Sequence, residues 1–147
     1  MLKIYVKKYN ELTISELYSL LQLRSEVFIV EQDCVYQDLD GKDQISLHVI
    51  GKKNNKIVAY TRLFKQGDYF KEASIGRVVV DKNVRHLKYG SFIMKESITA
   101  IQNHFNTKKI QISAQLYLEG FYNSFGFKAI GNSYLEDGIP HIGMKIN

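Results

Sequence analysis

A chain of 147 residues supports one hydrophobic core and hardly two. Hydrophobic residues make up 45% and charged residues 24%, which excludes a disordered tail, and one Pro with ten Gly excludes collagen-like and Pro-rich classes. The formal net charge of +5 fits either a nucleic-acid binder or an enzyme that handles a phosphorylated cofactor.

Leu2, Ile4 and Val6 alternate with Lys3, Tyr5 and Lys7, the period of a half-buried strand. Lysines inside this stretch argue against a secretory leader, and no apolar run approaches the roughly 18 residues of a membrane span. Thr13 and Glu16 have capping-box spacing, and Leu17, Leu20, Leu21, Arg24 and Phe28 then predict a first helix to about Phe28. From Val30 to Asp43 the chain is polar, without periodicity. Between Glu26 and Asp43 six acids face Lys42 alone, a net −5, so the remainder carries +10. That separation suits a molecule holding an anion at one place and a cation at another, rather than a broad basic face for nucleic acid; charge alone favours the plainer reading, that both regions are solvated surface. The Asp38–Asp43 run lacks the spacing of a calcium loop: its Gly stands fourth and its twelfth residue is Val49. Cys34, the lone cysteine, can form neither an internal disulfide nor a thiolate zinc site, which points to a reducing, cytoplasmic setting. The four His have no zinc-ligand pattern, so no metal is expected.

His48–Lys53 and Lys56–Phe64 flank Asn54-Asn55, a hairpin signature. Ala73–Val80 reads as a buried strand in which Gly76 marks a bulge. A second helix is predicted from Gly90 to Phe105, a strand over Ile110–Ala114 and a short helix over Tyr117–Phe125. Two further strands follow at Phe127–Ile130 and Ile142–Ile146. This order predicts a single α/β domain over residues 1–147, with a mixed sheet flanked by helices.

The stretch from Val78 to Ser91 is a buried strand, a short loop and a helix start. Unpaired amides at a helix start receive phosphates, Gly90 allows close backbone approach, and Arg85, His86 and Lys88 add positive or protonatable groups. A plain capped helix is the alternative reading of the same residues.

The Arg85-x-x-Lys88-x-Gly90 segment resembles the R-x-x-G-x-G/A cofactor motif of the GCN5-related N-acetyltransferases (GNAT), and Phe121-Tyr122-Asn123-Ser124-Phe125-Gly126-Phe127 resembles their second motif. Glu26–Asp43, Ile75–Val80 and Glu136–Met144 look like the ElaA-type branch, so the similarity spans nearly the whole chain. The resemblance implies a mostly antiparallel sheet with splayed central strands and acetyl-CoA wedged between them. Backbone groups of Val78, Val79 and Val80 would pair with the pantetheine arm. Amides from Arg85 through His86, Lys88, Tyr89 and Gly90 to Ser91 would wrap the pyrophosphate. Tyr122 would be the general acid at sulfur. Two departures stand out: Lys88 where the family has Gly, and Gln115 where many members have an Asn toward pantetheine.

The implied reaction is direct acetyl transfer to a primary amine, which must be neutral to attack and so needs a base. The candidates for that base are His48, Glu31, His141 and Glu72, and the sequence leaves the choice among them open, with His48 put forward as a catalytic residue beside Tyr122. Glu31, Arg77 and His141 are the expected acceptor-side residues, and the acidic segment suggests a cationic acceptor. A homodimer is compatible with the sequence; a nucleic-acid or membrane partner is not expected. The rival readings are transfer of a different acyl group, a non-catalytic CoA-binding module, or a basic nucleic-acid-binding α/β domain.

Overall fold

The computed structural model describes residues 1–147 throughout. Its strands are β1 (Lys3–Lys8), β2 (Leu47–Lys53), β3 (Lys56–Phe64), β4 (Ala73–Val80), β5 (Ile110–Gln115), β6 (Lys128–Glu136) and β7 (Ile139–Ile146). They form one sheet in the order β1-β2-β3-β4-β5-β7-β6, in which every neighbouring pair is antiparallel except β4 and β5. The helices are α1 (Ile14–Arg24), α2 (Tyr89–Phe105) and α3 (Glu119–Asn123).

Thr13 caps α1 as its spacing predicts: its hydroxyl accepts the Glu16 amide at 3.0 Å, and Glu16 accepts the Thr13 amide at 2.9 Å. Glu16 also receives Lys7 and Lys52, at 2.9 and 3.0 Å, which ties the helix start to β1 and β2. Burial alone would raise the Glu16 carboxyl, but the Thr13 amide and the two lysines outweigh it and hold its pKa at about 2. Asn54 and Asn55 both take positive φ, 50° and 67°, and close the β2–β3 hairpin.

Two boundaries differ most from expectation. The first α-helix ends at Arg24, and a π-helical segment, Ser25–Glu31, carries the chain on. Wider winding of this kind often accompanies functional sites. β6 runs to Glu136 rather than Ile130, because Asp137 and Gly138, at φ 51° and 76°, make a tight turn straight into β7. β6 lies at the sheet edge and every one of its residues is exposed, so burial periodicity could not reveal it.

The core has two parts, one on each face of the sheet. On one face α2 and α3 bury Ile93, Met94, Ile101 and Tyr122 against β3, β4 and β5; on the other, Leu20, Leu23, Val27 and Phe28 pack against Ile50, Tyr60 and Val79. The bulge in β4 decides which valine faces which side. Tyr60 pairs with Val79 but Arg62 pairs with Gly76, so Thr61 alone opposes Arg77 and Val78. Ala73 and Ile75 point to the α2 side, and the extra residue puts Val78 and Val80 there too while Val79 turns toward α1. Arg77, at φ 50°, is the residue that absorbs the insertion.

Candidate active site

β4 and β5 are paired only at Ala73–Ile110 and Ser74–Gln111. Beyond that point they part, and a cleft of about 1010 Å³ opens between Val78–Val80 on one lip and Ile112, Ser113 and Gln115 on the other. Separated strands leave main-chain amides and carbonyls without ladder partners, and such groups are obligate hydrogen bonders.

One end of the cleft is the start of α2. Its first i to i−4 bond runs from the Phe92 amide to the Lys88 carbonyl at 3.3 Å, so the amides of Tyr89, Gly90 and Ser91 precede it, and no side chain caps them. Lys88 sits at φ 61°, ψ 29°, the left-handed conformation. That geometry explains why glycine suits the position and shows that a lysine can occupy it. A Cβ on Gly90 would meet nothing nearer than Phe121 and Val80 at 3.8 Å, so the protein does not exclude a side chain there. Gly90 instead borders the cleft, where a side chain would fill the approach to the amides.

Of the side chains expected around an anion here, only that of Arg85 borders the cleft. Those of His86 and Lys88 are exposed outside it, Ser91 is off the lining, and Tyr89 is packed into the core, leaving only its amide to contribute. Arg85 holds Glu31 of the π-helical segment in a fork of 2.5 and 2.7 Å and donates to the Val80 carbonyl at 3.1 Å. Its hydrogen bonds lower the Glu31 pKa and raise that of Arg85 in turn. Glu31 therefore stands paired to Arg85 rather than among free acids of the cleft.

Tyr122, on α3, lines the cleft and is 7% exposed. Phe121 and Phe127 meet its ring edge-to-face, at 5.1 and 6.2 Å. Its hydroxyl has no partner within the chain and is not sealed from the cleft. Burial pushes its pKa up to about 12, so the phenol keeps its proton at any working pH.

At the far end lies His141, opposite Gln115 on the β5–β7 ladder and stacked on Tyr134 at 6.2 Å. Its Nδ1 lies 2.7 Å from the Ile139 carbonyl, which can only accept, so Nδ1 donates there and Nε2 is the ring nitrogen that faces Glu136. Glu136 lies 3.5 Å from that Nε2 and accepts Ser113 Oγ at 3.1 Å. Gln115 borders the cleft and bonds Gln32 at 3.3 Å.

His48 is corrected. It is wholly buried, with Nδ1 on Tyr60, Nε2 on the Asp43 carbonyl at 2.8 Å and Ser46 beside it. Burial lowers its pKa, and no nitrogen reaches the cleft. Glu72 likewise lies outside the lining.

The acidic segment is corrected too. Arg24 binds Asp43 at 2.7 Å and Asp38 at 3.0 Å; Arg62 binds Asp40 at 2.8 Å and Asp43 at 3.0 Å; Arg77 binds Asp38 at 2.7 Å. Three carboxylates meet three guanidiniums, and Arg24 and Arg62 are fully buried. Burial alone would raise the Asp40 and Asp43 carboxyls, but the arginines outweigh it, with Asp40 held at about 2. The acids are internal counter-charges, which removes the charge argument for a cationic acceptor. Arg77 anchors the bulge through this cluster.

Sequence reasoning missed Glu136, Ser113 and Tyr134. The Asp137-Gly138 turn was the available signal, since closing it sets Tyr134 opposite His141.

A family model described as an acetyltransferase (GNAT) domain matches residues 7–147. The Escherichia coli protein ElaA is 45% identical over 138 residues, 92% of this chain and 90% of that protein. Its crystal structure superposes with a TM-score of 0.93 at 42% identity, covering both chains fully. An acyl-CoA N-acyltransferase from Pseudomonas aeruginosa gives 0.95 at 38%, again over both full chains. A GNAT acetyltransferase from Elizabethkingia anophelis with acetyl-CoA bound shares the fold at 16% identity and a TM-score of 0.65, over 99% of this chain and 97% of that one.

Proposed function

Because this chain belongs to the GNAT acetyltransferase family, we propose that the cleft takes acetyl-CoA between β4 and β5 and passes its acetyl group directly to a primary amine. The observation that carries this reading is the meeting, in one cleft, of three features. These are parted strand edges, an uncapped helix start bordered by Gly90, and the hydroxyl of Tyr122, which has no partner within the chain and opens on the cleft.

In this reading the amides of Tyr89, Gly90 and Ser91 take the pyrophosphate, where a helix dipole favours negative charge. The edges of Val78–Val80 take the pantetheine amides, with Gln115 across from them. Arg85 exchanges Glu31 for phosphate oxygens, a swap between anionic partners of like geometry. His141 Nε2 receives the proton that the acceptor's ammonium must lose, with Glu136 stabilising the imidazolium. The amine nitrogen then bonds to the acetyl carbon as the carbon–sulfur bond breaks. Sulfur leaves with the electron pair and takes a proton from Tyr122, and the second proton on the newly acylated nitrogen returns to the phenolate, restoring Tyr122. The products are an N-acetyl amine and CoA.

Calorimetry with acetyl-CoA on the native protein and on Gly90→Trp tests this reading. The native protein should bind and the variant should not, while both keep the same melting temperature. Equal binding by both would remove the pyrophosphate assignment. Steeply salt-dependent DNA binding without any CoA-induced thermal shift would favour the nucleic-acid rival. Binding of CoA without transfer to any amine would leave a non-catalytic module.

A further inference from the structure

We propose that the acceptor is a primary amine carried on an aromatic or comparably flat apolar body with no second positive charge. This rests on the transferase reading above and concerns the wing of the cleft beyond the β4 bulge.

Phe64 ends β3, and a turn then delivers Tyr69 and Phe70 to the same wall. The Gly67 amide donates to the Phe70 carbonyl at 2.9 Å and the Asp68 amide to the Lys65 carbonyl at 3.2 Å, with Gly67 at φ 88°. Phe64 and Tyr69 stack at 5.0 Å with 12° between their planes, and Phe70 meets Tyr69 edge-on at 4.9 Å. All three line the cleft, and Tyr69 is 41% exposed, so the wall is built and accessible. Such a surface receives a flat apolar body by offset or edge contact.

The charges around that wall disfavour a second cation beside it. Lys42 Nζ stands 6.0 Å over the Tyr69 ring and has no carboxylate within ion-pair distance. The Arg62 guanidinium lies 4.8 Å from the Phe64 ring centroid. Asp40, the acid on this side of the cleft, is already held by Arg62 at 2.8 Å and lies 3.6 Å from Arg77. A diamine would drive its second ammonium toward Lys42 without a free counter-charge. On the β7 side Glu136, Asp137 and His141 line the cleft, and the Glu136–His141 pair suits an ammonium that must shed its proton. The wing thus orients an acceptor with its nitrogen toward β7 and its apolar body toward the 65–70 turn.

The test is steady-state release of CoA from acetyl-CoA with four acceptors: phenethylamine, L-phenylalanine, 1,4-diaminobutane and spermidine. The expected result is kcat/KM for phenethylamine, L-phenylalanine or both at least tenfold above that for either polyamine. The ratio between the two aromatic acceptors says whether an adjacent carboxylate is tolerated. Tyr69→Ala should cut the aromatic kcat/KM about tenfold with acetyl-CoA affinity unchanged, Tyr69→Phe should restore it, and Lys42→Glu should narrow the gap by improving the polyamines. A preference for polyamines, no turnover of either aromatic acceptor by protein that binds acetyl-CoA, or indifference to Tyr69→Ala would overturn the proposal. Absence of acetyl-CoA binding in calorimetry would instead strike the transferase reading itself.

Discussion

Replacing Asp43 by Asn should cost folding stability rather than acceptor affinity. Asp43 Oδ1 takes Arg24 Nη1 at 2.7 Å and Arg62 Nη1 at 3.0 Å, while Oδ2 faces Arg24 Nη2 at 3.4 Å. The carboxylate thus serves two guanidiniums that are both fully buried, in a cluster whose charges otherwise cancel. An Asn removes one negative charge and sets an amide donor against a guanidinium donor. Stripping a buried ion pair of one partner costs about 3–5 kcal/mol, because an uncompensated charge stays behind. Against the roughly 5–15 kcal/mol that holds a small domain together, this is a large fraction. Urea unfolding followed by circular dichroism should show the midpoint falling with the slope unchanged. A loss below about 1 kcal/mol, or a higher acceptor KM at undiminished stability, would refute the reasoning and return the acidic segment to the acceptor site.

Three other outcomes follow from the same geometry. Tyr122→Phe should lower kcat about a hundredfold or more and leave the melting temperature in place, since the lost hydroxyl has no partner within the chain; a kcat within threefold of native would remove its acid role. Glu31→Gln should tighten CoA binding up to about fivefold at low salt, because a partly exposed ion pair no longer competes for Arg85, and calorimetry that shows weaker binding would contradict this. Stability should also fall with acidity in two stages. His48 is held below its usual pKa by burial, so the unfolded chain gains protons first and stability declines as pH drops below about 6.5. Glu16 and Asp40, both held at about 2, contribute fully above their ordinary carboxyl range of 4.5 and 3.8 and lose that contribution as pH falls toward 2. Together these two carboxyls account for on the order of 5 kcal/mol, and a urea midpoint unchanged between pH 7 and pH 3 would contradict it.

The sequence made some of this visible and hid the rest for physical reasons. β3 and β4 match the predicted spans because buried strands write continuous apolar runs, and the Thr13 cap and the Asn54-Asn55 turn match because their chemistry is local. The bulge was foreseen at Gly76, yet the residue that adopts the strained backbone is Arg77, held there by Asp38 from 39 positions away. Partners so distant leave no periodic trace, which is why a run of acids read as an open anionic surface. The same limit governs the histidines: His48 and His141 look alike in sequence, and only tertiary packing buries one in the core and opens the other to the cleft.

The extra residue in β4 also gives the two halves of that strand separate duties. The half before Arg77 is fastened to β5, whereas the half after it swings free of that neighbour, so the angle of the mouth is set by a single left-handed linkage clamped from outside. Deleting residue 77 would restore an unbroken alternation, leave Val78 and Val80 on the α2 side, and remove the kink that swings them away from β5. The doorway would then close up into an ordinary sheet.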